Sequence, residues 1–283
     1  MTATPPTSPA EDLELLRSSA VAAGIIAAGF FRRDLKTWTK ANATPVTEAD
    51  ITVDRYLHAA LLAARPDYGW LSEETADDGR RLGCRRVFIV DPIDGTRGFI
   101  RGEDSWTVSL AVVENGIAVA GVVYAPVRDE MYEAARGGGA RRNGLPLQRG
   151  NAANHPPVIP AAGAVHSRLQ AAGLDYVRGA YLPSLAYRLV QVANGTFGAA
   201  GVRRGASDWD IAGAAAILSE CGVGFEDVCA GPVRFNGAEI RHGALAATAD
   251  ESVKAVLHRA LLDVYGCPQE PSAAPPLAEK RTP

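Results

Sequence analysis

Lysine is scarce in this chain. Lys36, Lys40, Lys254 and Lys280 are the only four, and every other basic residue is an arginine. No basic excess accompanies them. The formal net charge is -3, so the chain lacks the global field that draws a protein to nucleic acid or an anionic bilayer. Clusters of aromatic and basic residues are missing too, which argues against a nucleic acid polymer as partner. Cysteine is sparse: Cys84, Cys221, Cys229 and Cys267 include no CxxC pair. The N-terminal MTATPPTSPAEDLELL has neither the basic start nor the uninterrupted apolar region of a secretory leader. The apolar stretch that follows is broken by Arg32 and Arg33, too early to span a bilayer. These absences predict a soluble, reduced, cytoplasmic protein with no membrane insertion. Cys84 and Cys221 are expected to be small buried residues.

What is present suits a globular fold. The apolar fraction is 47% and the charged fraction 22%, and 283 residues allow two modest domains or one large one. Residues 1–8 are Pro/Thr/Ser-rich and expected to be flexible. Ser8-Pro9-Ala10-Glu11 then supplies an N-cap, a proline at the first helical position and a capping-box glutamate. The helix it opens is predicted to reach about Phe31, with Leu13, Leu16, Ala20, Ile25 and Ala28 near one face. Thr47-Glu48-Ala49-Asp50 opens a second helix, predicted to end near Ala64 because Pro66 opposes continuation.

From Arg86 the period changes. VFIVD reads as a short buried strand, and WTVSLAVVENG with IAVAGVVYAP as two strands about an Asn115-Gly116 turn. EMYEAA and a turn at Asn143-Gly144 extend the meander. Helices are predicted for Ser184 to Val192, for DWDIAGAAAILSECG and for ESVKAVLHRALLDVY. The organisation expected is an N-terminal α+β unit over 9–150 that holds the metal site, a C-terminal α/β unit over 151–267, and a disordered tail over 268–283.

VDPIDGTR ends the apolar run at Arg86 by placing Asp91 and Asp94 three residues apart. A buried carboxylate is costly unless it is paired or coordinates a metal. Pro92 removes a backbone donor and stiffens the turn, leaving the Ile93 carbonyl to point with the acids. Two carboxylates and a carbonyl make a hard, all-oxygen set suited to Mg²⁺ or Mn²⁺ rather than zinc. Gly95 and Thr96 follow at an expected helix N-terminus, where amides attract an anion. As an isolated stretch it fits an ordinary β-turn with capping acids equally well. Three more acid groups stand in order along the chain: Asp50 with Asp54 at helical spacing, Glu73 with Glu74 in LSEET, and Asp208 with Asp210 in DWD. Alone, the first pair faces solvent, the second sits in a solvated loop, and the third caps a helix.

The ordered set VTEAD, SEET, DPIDGT and DWDIAGA resembles the inositol monophosphatase family over about Thr44 to Gly222. The resemblance implies an α/β fold of five layers, αβαβα, and phosphomonoester hydrolysis with two or three Mg²⁺ ions. It implies that Glu73, Asp91, the Ile93 carbonyl, Asp94 and Asp210 are metal ligands. Thr96 and Asp50, with Glu73, would position the attacking water, and the Gly95 and Thr96 amides would hold the phosphate. It also favours a homodimer and implies lithium sensitivity. Ser72 departs from the family, which often has glycine before the metal glutamate. Arg97 departs from the inositol-specific members, which usually carry a small polar residue there, and resembles the bisphosphate nucleotidases and histidinol phosphatases, which often carry a basic one; a surface salt bridge is the equal alternative for it. Arg203 stands where inositol-specific members often place a glutamate. Arginine suits a second anion, whereas glutamate suits a polyol. Ser184, at the start of its helix, resembles the nucleotidase branch and is expected to cap that helix and touch substrate. The small phosphorylated substrate expected first is therefore a 3'(2'),5'-bisphosphate nucleotide, with inositol 1-phosphate and histidinol phosphate as alternatives. A metal- or phosphate-binding regulator without turnover is the alternative of a different class.

Overall fold

Alternation of apolar side chains along central strands builds the middle of the molecule. The computed structural model describes residues 7–40, 44–147 and 156–267. Helix α1 (Pro9–Phe30) starts at the Ser8 capping box. A small hairpin, β1 (Thr37–Thr39) and β2 (Pro45–Thr47), leads into α2 (Glu48–Ala64), whose N-cap is Thr47. Then come β3 (Gly69–Ser72), β4 (Arg86–Asp94), the short helix α3 (Thr96–Ile100), and a meander. The meander comprises β5 (Thr107–Glu114), β6 (Ile117–Ala125), β7 (Glu130–Ala135), β8 (Ala140–Arg142) and β9 (Leu145–Pro146). These seven strands form one sheet in sequence order, with only the β3–β4 pair parallel. Asn115-Gly116 and Asn143-Gly144 all have positive φ, as two-residue hairpin turns of this hand require.

The second half supplies β10 (Val158–Ile159), α4 (Gly163–Ala171), β11 (Val177–Arg178), α5 (Leu185–Ala193) and β12 (Ala199–Val202). It ends with α6 (Asp208–Glu220), β13 (Gly224–Asp227), β14 (Gly231–Pro232), β15 (Leu245–Thr248) and α7 (Glu251–Tyr265). A four-stranded sheet has the order β12-β15-β13-β14. α1 and α2 cover one face of the large sheet, α5 and α6 lie between the two sheets, and α4 and α7 close the far side. That is the five-layered αβαβα arrangement expected. Because both faces of the large sheet are covered, β4 is buried at all nine residues. Phe88 and Val90 face the α1–α2 core, while Val87 and Ile89 face the α5–α6 core.

Several expectations need correction. α1 buries Leu13, Leu16, Ala20, Ala23 and Ala27, but Ile25 is 69% exposed and Ala28 is also exposed. Ile25 lies five residues from Ala20, well off the helical phase, and its hydrophobicity does not override that. α1 is long and apolar enough to cross a membrane by length and composition, contrary to the reading of Arg32 and Arg33. Its packing against β6 and α2 instead makes it a core helix. Cys229 and Cys267 form a disulfide, with Cα atoms 5.6 Å apart, that ties the β13–β14 turn to the end of α7. Four reduced thiols were expected, so cysteine usage no longer argues for a cytoplasmic setting. Cys84 and Cys221 are free and half-buried rather than buried. The expected junction at 150–151, the tail at 268–283 and most of the N-terminal 1–8 lie outside the described residues.

Candidate active site

Three helix N-termini converge on the acids, and each holds one of them by a cap. Asp50 is the third residue of α2, and its Oδ2 accepts from the Thr47 amide at 2.8 Å and the Thr47 hydroxyl at 2.6 Å. Asp210 occupies the same place in α6, with its Oδ2 accepting from the Ser207 amide at 2.6 Å. Asp94 Oδ2 accepts from Ser184 Oγ at 2.6 Å and from the Ala186 amide at 2.7 Å, at the start of α5. The cap on each residue engages one oxygen and fixes the carboxylate, leaving the other oxygen for the site. Asp50 Oδ1 receives the Thr96 hydroxyl at 3.1 Å.

The strand itself supplies the rest. β4 does not stop at Asp91, as the sequence suggests, but runs on through Asp94 with a register shift against β5 between the two acids. That bulge turns both acids toward the same side, as an extra residue in one strand does. The Asp91 carboxylate accepts from the Ile93 amide at 3.1 Å. Gly95 follows with φ +95° and starts α3 in the left-handed region, where only glycine is unstrained. Asp91, Asp94 and Asp210 each offer an oxygen within 4.8 Å of the others.

Such a cluster is electrostatically unfavourable without a counter-charge. Burial, then repulsion from Glu73, Asp94 and Asp210, pushes the Asp91 carboxyl well above its ordinary range. Burial raises Asp94 to about 6 against the pull of its Ser184 and Ala186 hydrogen bonds. Burial and Asp94 raise Asp210 to about 8. A compact all-oxygen set with excess negative charge fits a hard divalent cation. Thr96 has one hydroxyl proton and two acceptors in reach, Asp50 Oδ1 at 3.1 Å and the Ile93 carbonyl at 3.0 Å. Giving the proton to Asp50 leaves the carbonyl available to a cation.

The other expected residues fall in different places. Glu73 lines the same cavity but stands outside the 4.8 Å group, and its Oε1 is 2.9 Å from Lys40 Nζ. Lys40 also pairs with Glu74 at 2.7 Å, and burial lifts Glu74 to about 7 despite that partner. Lys40 was not singled out beforehand, although its rarity in an arginine-rich chain is a signal. Asp54 is buried rather than solvent-facing, and it accepts from Ser72 and Thr75 hydroxyls. It therefore ties down the loop carrying Glu73, and Ser72 is the donor that makes this possible. Ser184 is fully buried and does not line the cavity. It caps α5, bonds Thr107, and orients Asp94, so the expected contact with substrate is withdrawn. Gly95, Thr96, Arg97 and Arg203 do line the cavity, whose volume is about 570 Å³. Two arginines not foreseen, Arg101 and Arg188, line it as well.

A model of the inositol monophosphatase family matches residues 9–263. A histidinol-phosphatase of Chlorobaculum parvum is 40% identical over 138 residues, 48% of this chain and 52% of that protein. The 3'(2'),5'-bisphosphate nucleotidase CysQ of Escherichia coli is 41% identical over 100 residues, 35% of this chain and 41% of that protein. The chain thus spans about half the length, or less, of these curated relatives. Among solved structures, the extragenic suppressor protein suhB from Bartonella henselae superposes with a TM-score of 0.76 at 26% identity. That likeness covers 88% of this chain and 98% of the other.

Proposed function

Since the chain belongs to the inositol monophosphatase family, we propose that it is a Mg²⁺-dependent phosphomonoesterase acting on substrates with a second anionic group, 3'(2'),5'-bisphosphate nucleotides first. Asp91, Asp94, Asp210 and Glu73, with the Ile93 carbonyl, would hold two or three Mg²⁺ ions, or Mn²⁺. Bound there, the metal supplies Lewis acidity, lowering the pKa of water and stabilising charge on the leaving oxygen. The residues of the chain do the positioning. Thr96, donating to Asp50, presents a lone pair to the attacking water and takes up its orientation. The Gly95 and Thr96 amides stand at the start of α3, where the first backbone donors have no helical acceptor, and they would hold the phosphate oxygens.

The observation that supports the substrate class is the composition of the cavity wall: Arg97, Arg101, Arg188 and Arg203 share one cavity with the acids. Guanidinium groups pair with a second phosphate and offer no acceptor to a neutral polyol. They also repel the ammonium group of histidinol phosphate. A metal- or phosphate-binding regulator without turnover is the alternative, but the intact acid cluster, with its oriented caps, favours the enzyme.

Phosphate release with Mg²⁺ from adenosine 3',5'-bisphosphate, inositol 1-phosphate and histidinol phosphate tests the reading. The expected kcat/KM favours the bisphosphate by about 100-fold, or about 2.7 kcal/mol. A preference for inositol or histidinol phosphate overturns the substrate class, and inactivity toward all three supports the regulator.

A further inference from the structure

α5 carries a single charged side chain, Arg188, in an otherwise mostly buried sequence. Its Nε is shielded from solvent and has no hydrogen-bond partner. Among the described residues no carboxylate forms an ion pair with it. The Tyr181 ring lies over the guanidinium, 4.8 Å from carbon to ring centroid, and Tyr181 is itself 74% exposed at the cavity rim. Desolvation pulls the Arg188 pKa down, against the opposing pull of Tyr181 and of the Asp94 charge. The half-buried side chain lines the cavity, so the N–H groups of Arg188 that do reach it are donors for an anionic occupant. Arg97 and Arg203 line the same cavity but are exposed, where pairing with an anion competes with water and contributes little.

We infer that Arg188, rather than Arg97 or Arg203, is the specificity-determining residue that binds the non-reacting anionic group of the substrate, a phosphate or a carboxylate. Tyr181, whose ring lies over the guanidinium, lines the same cavity and so stands beside the anion that Arg188 would bind. This inference rests on the phosphomonoesterase reading of the acid cluster and on a substrate with two anionic groups.

The test compares adenosine 3',5'-bisphosphate with adenosine 3'-monophosphate, which differ only in the second anion. Wild type is expected to prefer the bisphosphate. Arg188→Gln is expected to lose about 30-fold in kcat/KM on the bisphosphate, mostly through KM, and less than about threefold on the monophosphate. Arg188→Lys keeps the charge without the fork. It is expected to fall between the two and gives a second reading if the glutamine variant folds poorly. Equal losses on both substrates would assign Arg188 to the reacting phosphate or to the fold and overturn the inference. A preference retained in both variants overturns the inference but leaves the proposed function standing. A wild type without preference for the bisphosphate overturns both.

Discussion

Asp94→Asn is expected to lower Mg²⁺-dependent phosphate release on the order of a thousandfold while the protein still folds. The substitution is nearly isosteric, and its amide oxygen can accept from Ser184 Oγ and the Ala186 amide in place of Asp94 Oδ2. What it removes is one negative charge from a group whose oxygens lie within 4.8 Å. Asp94 is buried, so the fold survives through these replaced hydrogen bonds. Near pH 8 the ionised Asp94 repels Asp91 and Asp210 in the metal-free protein. The metal-free variant should therefore melt no lower than wild type at that pH. Mg²⁺ should raise the melting temperature of wild type and leave the variant nearly unmoved. Phosphate release and thermal melts with and without Mg²⁺ check this, and wild-type-like turnover would remove Asp94 from the site.

Gly95→Ala is expected to damage both stability and activity. A Cβ at that position would lie 2.9 Å from the Ser184 amide nitrogen and 3.2 Å from the Ser184 Cα, both backbone atoms that cannot swing aside. The φ of +95° is a second obstacle. Left-handed strain and overpacking together amount to on the order of 3 kcal/mol, or roughly 10 °C in melting temperature for a chain of this size. Any relief moves Ser184, and Ser184 orients Asp94, so activity should fall by about 100-fold or more in the fraction that folds. Thermal melts and kcat at a temperature where the variant is folded separate the two effects. A variant with wild-type stability would show that the β4–α3 turn is not pressed against α5.

Local chemistry made much of this legible beforehand. Ser8 and Thr47 announced their helices because capping boxes act within four residues, and the two Asn-Gly turns fixed the hairpins. The acids of DPIDGT and DWD could be named because motif spacing is also local. What failed depended on distant partners. Nothing near Asp54 announces the Ser72 and Thr75 hydroxyls that bury it, and nothing near Ser184 shows that Asp94 and Thr107 enclose it. Cys229 and Cys267 are 38 residues apart in sequence and meet only when α7 returns to the second sheet. The bulge that carries β4 through the acids needs β5 as its reference. Arg188 could have been noticed as the lone charge in an apolar helix, but its cavity is lined by residues from both halves of the chain.

The central claim is that the three aspartates form a divalent-metal centre, and proton-linked metal titration tests it most directly. Asp94 at about 6 and Asp210 at about 8 lie above the ordinary carboxylate range, as does Asp91. The metal-free folded protein therefore holds protons that the unfolded chain has already released. That contribution to stability is fully present below the unfolded carboxylate pKa and is lost as pH rises through about 6 to 8. Binding a cation must displace those protons. Calorimetric titration with Mg²⁺ at pH 6.5 and 8, in buffers of different ionisation enthalpy, is expected to show saturable binding with proton release. The release should be larger at pH 6.5, the affinity higher at pH 8, and binding nearly lost in Asp94→Asn. No saturable binding, or binding without proton release and unchanged by Asp94→Asn, would contradict the assignment of these acids to a metal.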